Sequence, residues 1–201
     1  MRYSFLQFAA DVMGRLGEMA RAPAQSVRLS ALPGVPWPED VISLKVTSLL
    51  GEVGSSLIMN APRERLGSGL RIETEPRIRL MPCGMYGAEL RLPVDFLCLM
   101  SVRMSGWTRS VETLILPGTP EWSRQWSREP GIAGCPGRPL AFLDRDGDGL
   151  MIRVIGSEDP DDSLSWLSLW RVPAVDEEGG FDFPEALYAD LVAAVAENIK
   201  T

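Results

Sequence analysis

The spacing of apolar residues changes near both ends of this chain, and that change limits the folds that the chain can adopt. Up to about residue 62 the apolar residues recur every three to four positions, as on one face of an α-helix. From residue 63 to 181 they alternate with polar residues, as in half-buried strands, and beyond residue 182 the helical spacing returns. We therefore predict an α+β fold with an N-terminal helical pair (1–62), a central, mostly antiparallel β-sheet (63–181) and a C-terminal helix (182–201), together forming one domain.

The N-terminal helices are predicted near residues 4–20 and 38–60. Ser4 and Gln7 have the spacing of a capping box, and Pro38 suits the start of the second helix. The apolar face of the first helix consists of Phe5, Phe8, Ala9, Val12, Met13 and Leu16. The face of the second helix is wider and consists of Val41, Ile42, Leu44, Val46, Leu49, Leu50, Val53, Leu57 and Ile58. Its width predicts contact on two sides, either with the first helix and the sheet or with a neighbouring subunit.

The other segments are assigned from alternation and from turn residues. Residues 21–38 are proline-rich and are expected to be extended, with Trp37 packed against the core. Alternation predicts strands around residues 77–80, 89–92, 102–106, 140–142, 150–154 and 164–170. Residues 123–138 are expected to form a long loop that is functional or ordered by a partner. Asp182 and Glu185 have capping-box spacing at the start of the last helix.

The composition excludes several common functions. The chain has no histidine, so it cannot build a His-containing triad, a histidine-bound zinc site or a histidine general base. Its net charge of -7 disfavours tight, sequence-independent binding of nucleic acid. A group of arginines alternates with glutamates between residues 71 and 91, and we interpret it as a solvated strand surface. Its members are Arg71, Arg77, Arg79 and Arg91, with Glu73, Glu75 and Glu89.

The N-terminus lacks the apolar core and cleavage site of a secretory signal, and no apolar run reaches the roughly 18 residues needed to span a bilayer. We therefore expect neither export by that route nor membrane insertion. Cys83, Cys98 and Cys135 are odd in number and widely spaced, which suits reduced thiols in a cytosolic setting better than a disulfide framework or a zinc site. Cys98 is expected in the core, whereas Cys83 and Cys135 could be exposed.

The segment from Asp144 to Gly149 matches the start of a calcium loop of the EF-hand kind, with carboxylates at alternate positions and a glycine at the sixth. The match fails at the twelfth position, which is Ile155 instead of glutamate. We interpret the segment as a tight hairpin turn, with a calcium-dependent protein-binding module as the alternative function. A carboxylate-based hydrolase would require Asp144, Asp146 and Asp159 to converge in a deep pocket.

Two further carboxylate pairs, Asp161 with Asp162 and Glu177 with Glu178, are expected to be solvated loop charges. No glycine-rich nucleotide loop occurs in the sequence. We therefore predict no catalytic residue, no cofactor-binding residue and no metal ligand, and we expect that the protein is not an enzyme.

Tryptophans offer the clearest candidates for an interface. Trp107, Trp166 and Trp170 lie on alternating patterns and are expected in the core. Trp122 and Trp126 lie at the head of the long loop, and the sequence is equally compatible with a core position and with a subunit contact for this pair.

Residues 90–111 read LRLPVDFLCLMSVRMSGWTRSV and resemble the signature "LPxDFLxL, then SGW" of head-to-tail connector proteins of tailed phages, especially crAss-like phages and related prophages of gut bacteria. Residues 131–140, GIAGCPGRPL, resemble the "RGxxxRPV" segment of that family, with Ala133 where arginine is commoner.

The resemblance implies a structural virion protein: a neck adaptor subunit that forms a homo-oligomeric ring between the portal protein and the tail or neck proteins. It implies assembly in the cytoplasm of a bacterial host, location in the virion, and no active site. DNA would pass through the ring without specific binding, and an acidic surface suits such a channel because like charges repel the phosphates.

Overall fold

A computed structural model of the chain describes residues 1–21, 39–147 and 149–200. It contains N-terminal helices, antiparallel sheets and a C-terminal helix, which confirms the predicted α+β class. The chain divides into two compact units, which we call the helical unit (Met1–Gly67 with Val172–Thr201) and the sandwich unit (Ser68–Arg171). Trp37 and nearly all of the predicted connection lie outside the described residues. None of the described helices is long and apolar enough to cross a membrane.

The elements follow one another as β1 (Arg2–Ser4), α1 (Phe5–Arg21), α2 (Glu39–Asn60), β2 (Leu70–Ile72), β3 (Arg77–Leu80), β4 (Tyr86–Arg91), β5 (Phe96–Met104), α3 (Pro130–Ala133), β6 (Leu140–Asp146), β7 (Gly149–Ser157), β8 (Leu164–Arg171), β9 (Gly180–Asp182) and α4 (Tyr188–Lys200). Short 3-10 helices span Arg63–Arg65, Pro120–Trp126 and Glu185–Leu187.

In the helical unit, α4 packs against both α1 and α2. The buried side chains of this unit come from the predicted apolar faces, from β9 and from the residue after it: Phe8, Val12, Val46, Leu50, Ile58, Phe181, Phe183, Leu191 and Val195. Leu44 and Met13 were predicted on the same faces but are exposed. The Tyr3 and Tyr188 rings stack with centroids 4.2 Å apart and extend the core to the surface.

Neither predicted capping box forms: the side chain of Gln7 binds Asp11 instead of reaching back to Ser4, and the helical segment after Asp182 begins behind Pro184 without a side-chain cap. Ser4 is the last residue of β1 and pairs with Gly180, and the Gln7 side chain donates to Asp11 one turn further along α1. Asp182 pairs with Arg2 in the same two-stranded sheet, and the final helix begins only after it. α1 thus begins directly after β1, whereas the 3-10 helix Glu185–Leu187 lies between β9 and α4.

The sandwich unit consists of a three-stranded sheet, β2-β8-β5, and a four-stranded sheet, β3-β4-β7-β6, in which every pair is antiparallel. One apolar core lies between them and contains Ala88, Leu90, Leu99, Val102, Met104, Trp107, Ala141, Ile152, Val154, Leu167 and Leu169. Trp107 and Trp170 are buried as predicted, whereas Trp166 is half-buried beneath Arg103. Two stacked sheets thus replace the single central sheet that alternation predicted.

The predicted long loop, 123–138, contains regular structure. The 3-10 helix Pro120–Trp126 and the short α3 pack on the outer side of the four-stranded sheet, over Phe142 and Ile155. Cys83 is buried in the same cluster, contrary to the expectation that it could be exposed. Apolar side chains on the outer face of the sheet therefore stabilise this segment.

Candidate protein-binding surface

The outer side of the four-stranded sheet carries a row of alternating charges. Side chains alternate along a strand, so Ala88 of β4 belongs to the core while the neighbouring Glu89 points outward. The register places Arg77 of β3 beside Glu89 on one side and Arg153 of β7 on the other. The solvent exposure predicted for this group is confirmed for all its members except Glu89, which is partly shielded from water, as is the neighbouring Arg153.

Arg153 is at the centre of a half-buried ion-pair network on this side of the sheet. Its guanidinium lies 3.0 Å from Oδ2 of Asp144 and 3.5 Å from Oε1 of Glu89, and Oε2 of Glu89 is 3.1 Å from Arg79. The side chains of Arg153 and Glu89 are only 14% and 11% exposed. A charge that water solvates poorly is costly when it is separated from its partner. These ion pairs therefore hold the side chains in one arrangement.

Arg153 also attaches the 3-10 helix Pro120–Trp126 to the sheet. Its Nη1 donates a hydrogen bond of 2.7 Å to Oε1 of Gln125, a residue with no exposed surface. The guanidinium also lies over the Trp126 ring, 5.3 Å from its centroid. These contacts hold in place the backbone of the 3-10 helix that contains Trp122 and Trp126.

Trp122 and Trp126 pack edge to face, with centroids 6.4 Å apart, but they have different environments. Trp122 packs on the apolar cluster around Phe142, and its Nε1 donates to the carbonyl oxygen of Leu143. Trp126 keeps 52% of its surface exposed although its ring is held on two sides. Trp122 is therefore partly buried against the apolar cluster, and Trp126 is an exposed aromatic side chain in a fixed orientation.

A cleft of about 520 Å³ opens on the same outer side, next to β3. Its lining is formed by Thr74, Glu75, Pro76, Arg77, Glu89, Arg91, Asp146 and Met151. Arginine and carboxylate side chains both contribute to this lining. Its mixed charge suits contact with a polar segment.

The predicted hairpin at residues 144–149 is confirmed, because β6 and β7 pair as far as Asp146 and Gly149. Asp144 pairs with Arg153 and Asp146 lines the cleft, while Asp148 lies outside the described residues. Asp159 follows the far end of the nine-residue strand β7, which at about 3.3 Å per residue keeps it distant from the turn. The three carboxylates of the hydrolase hypothesis therefore do not converge. Among the described residues, no group of three His, Cys, Asp or Glu side chains could hold a metal ion.

Asp162 is buried, so the prediction that it is a solvated loop charge is wrong, whereas its neighbour Asp161 is exposed. Its Oδ1 accepts hydrogen bonds from the backbone N–H of Gly106 at 3.0 Å, from the backbone N–H of Ser163 at 2.8 Å, and from the Ser105 hydroxyl. Burial raises the pKa of this carboxyl, but the hydrogen bonds outweigh burial and hold the pKa below its ordinary value. Asp162 thus fastens the loop before β8 to the turn after β5.

In the helical unit, α1 presents a second apolar surface. Leu6 is 81% exposed and Met13, two turns later on the same side of the helix, is 44% exposed. A Cβ atom added at Gly14 would contact nothing within 4 Å, so this side of α1 is open among the described residues. A groove of about 400 Å³ lies nearby, lined by Asp11, Arg15, Tyr188, Ala189, Val192 and Ala193.

No family model matches the chain, and neither a curated protein nor a solved structure is significantly similar to it.

Proposed function

We propose that this chain is a structural subunit that works by binding other proteins, and that its specific role is that of a head-to-tail connector in the neck of a tailed phage. The observation that carries the first part is Trp126, which is about half exposed yet held by Arg153 and Trp122. The connector role rests on the resemblance of residues 90–111 and 131–140 to that family.

An exposed tryptophan in a fixed orientation favours binding for an energetic reason. Tryptophan and arginine are the residues that most often dominate the energy of protein interfaces. A side chain that is already ordered loses less conformational entropy on binding than a mobile one. The hydrogen bond from Arg153 to Gln125 orders the backbone beneath Trp126 before any partner arrives.

A subunit of a closed ring needs two different contact surfaces, because each copy binds one neighbour through each of them. The sandwich unit offers the surface around Trp126, and the helical unit offers the apolar side of α1 around Leu6 and Met13. Two different surfaces, each with exposed apolar side chains, are consistent with this mode of assembly.

The calcium-dependent alternative has less support. Asp144, the first residue of the acidic turn, already pairs with Arg153 at 3.0 Å. A calcium ion would have to displace that half-buried arginine from the carboxylate.

The test is native mass spectrometry of the purified protein, alone and with the portal protein encoded in the same gene cluster. We expect rings or a portal-bound collar. We expect Trp126→Ala to weaken the assembly by about 2 kcal/mol or more, the loss typical of an interface hot spot. Val94→Ala, which shortens a fully exposed side chain of the same unit, is the control and should assemble normally. Persistent monomers at high concentration with the portal protein present would refute the connector role.

A further inference from the structure

The four-stranded sheet has one covered edge and one open edge. At the β6 edge, Ile115 already lies alongside the strand, with its N–H donating to Ala141 at 2.8 Å and its carbonyl oxygen accepting from Leu143 at 2.9 Å. At the opposite edge, β3 pairs with β4 and with no other strand of the described residues. The backbone of β3 can therefore pair with a further strand along the edge that faces away from β4.

The register shows which backbone groups point outward. The N–H of Met81 donates to the carbonyl oxygen of Met85 at 2.8 Å, in line with the pairs of β3 and β4. In an antiparallel pair, hydrogen-bonded positions alternate, so Arg79 and Arg77 bond toward β4 as Met81 does. The N–H and C=O groups of Ile78 and Leu80 consequently point to the open edge.

The side chains of β3 determine what kind of strand that edge can accept. Arg77 and Arg79 are both exposed on the outer face of the sheet, where Arg79 also lies 3.1 Å from Glu89, and Leu80 is 65% exposed at the end of the strand. A second copy of β3 would place arginines opposite arginines, which is destabilising. A strand with carboxylates at alternate positions would instead place opposite charges side by side.

We propose that the outer edge of β3 binds an extended acidic segment of a partner protein as an added strand, with carboxylates of that segment paired to Arg77 and Arg79. Backbone hydrogen bonds to Ile78 and Leu80 supply affinity, and the arginines supply selectivity for acidic side chains. The adjoining cleft, bordered by Pro76 and Arg77, leaves room for side chains that follow the paired segment. This inference goes beyond the connector role and does not depend on it, because one copy of the chain contains the whole site.

The probe is a fluorescently labelled, end-capped peptide in which glutamate and valine alternate, and the measurement is fluorescence anisotropy at low salt. We expect binding that weakens as salt is added, because exposed ion pairs are screened. The same sequence with lysine in place of glutamate should not bind. Two N-methylated versions of the glutamate peptide carry the methyl groups on the odd-numbered or on the even-numbered amides. Only one of them should lose binding, since only one set of amides faces the edge of β3.

The matched protein variants reverse two arginine charges at different places in the sandwich unit. Arg77→Glu with Arg79→Glu should lower the affinity by about tenfold or more, whereas Arg109→Glu with Arg138→Glu, also exposed, should change it less than about threefold. Leu80→Glu, which adds a negative charge at the same edge, is a second variant that should weaken binding if the double variant unfolds. Urea unfolding establishes that each variant is folded.

The inference is refuted if the glutamate peptide does not bind, if the lysine peptide binds equally well, or if both double variants lose affinity to the same extent. Equal binding by both N-methylated forms would also contradict strand addition. If the protein forms rings but does not bind the peptide, only this inference is refuted. If it binds the peptide but remains a monomer, only the connector role is refuted.

Discussion

Replacement of Asp162 by asparagine tests whether one buried carboxylate holds two distant loops together. Oδ1 of Asp162 accepts three hydrogen bonds, two of them from backbone N–H groups of Gly106 and Ser163. Hydrogen bonds to a charged acceptor contribute about 1.5–3 kcal/mol each, against about 0.5–1.5 for neutral pairs. Three bonds that each weaken by about 1 kcal/mol, less the cost of desolvating the charge, give an expected loss of roughly 2 kcal/mol for Asp162→Asn.

The pH dependence of this loss supplies an independent check. The pKa of Asp162 is lowered in the folded state, so its contribution is fully present above the ordinary pKa of about 4 and is lost as pH falls through the folded value. The free energies of unfolding of the native protein and of Asp162→Asn should therefore differ most near neutral pH and converge in acid. Urea unfolding followed by tryptophan fluorescence measures both quantities.

Asp161→Asn is the matched control, because this neighbouring carboxylate is exposed. Its free energy of unfolding should stay within about 0.5 kcal/mol of the native value. A similarly small change for Asp162→Asn near neutral pH, or a difference that does not shrink in acid, would refute the reasoning about the hydrogen-bonded carboxylate.

Three further substitutions have expected outcomes that urea unfolding can measure. Arg153→Met should lower the free energy of unfolding by about 2–4 kcal/mol, because it leaves Asp144, Glu89 and the buried Gln125 without their shared partner. Arg145→Met, at an exposed site of the same hairpin, is the control and should cost little. Equal effects would contradict the network. Gly134→Ala should cost about 2 kcal/mol or more, since φ is +133° and the added Cβ would lie 2.8 Å from the Ile155 oxygen, whereas Gly137→Ala has open space and should be nearly neutral. Tyr188→Phe should cost about 1 kcal/mol by removing the 2.7 Å hydrogen bond to Asp11. Burial and the adjacent Asp11 raise the pKa of Tyr188. Its contribution to the free energy of unfolding should therefore be fully present below the ordinary pKa of about 10 and be lost as pH rises through the folded value. Titration of this phenol at its ordinary pKa, followed by ultraviolet absorbance, would disprove the expectation.

The elements with strong local signals could be predicted from the sequence. The second helix ends at Asn60 as expected, because Ala61 and Pro62 follow a long apolar repeat. The 144–149 hairpin was predictable because aspartate and glycine favour tight turns. In both cases the determining residues lie within a few positions of one another.

The features that sequence reasoning missed depend on residues that are far apart in the chain. Ser4 has the right spacing for a cap, but its strand partner, Gly180, lies near the other end of the chain. Asp162 stands among acidic and loop-forming residues, and nothing near it in sequence indicates the turn at Ser105 that buries it. For Trp122 and Trp126, local sequence could not separate core from surface, because the outer side of the sheet decides which ring is covered.

The division of the helical unit between both ends of the chain has a consequence for biosynthesis. All residues of the sandwich unit are synthesised before β9 and α4. β1, α1 and α2 are made first, yet α4, the helix that packs against both α1 and α2, is made last. We therefore expect β1, α1 and α2 to stay without this packing partner until α4 has been synthesised and has emerged from the ribosome.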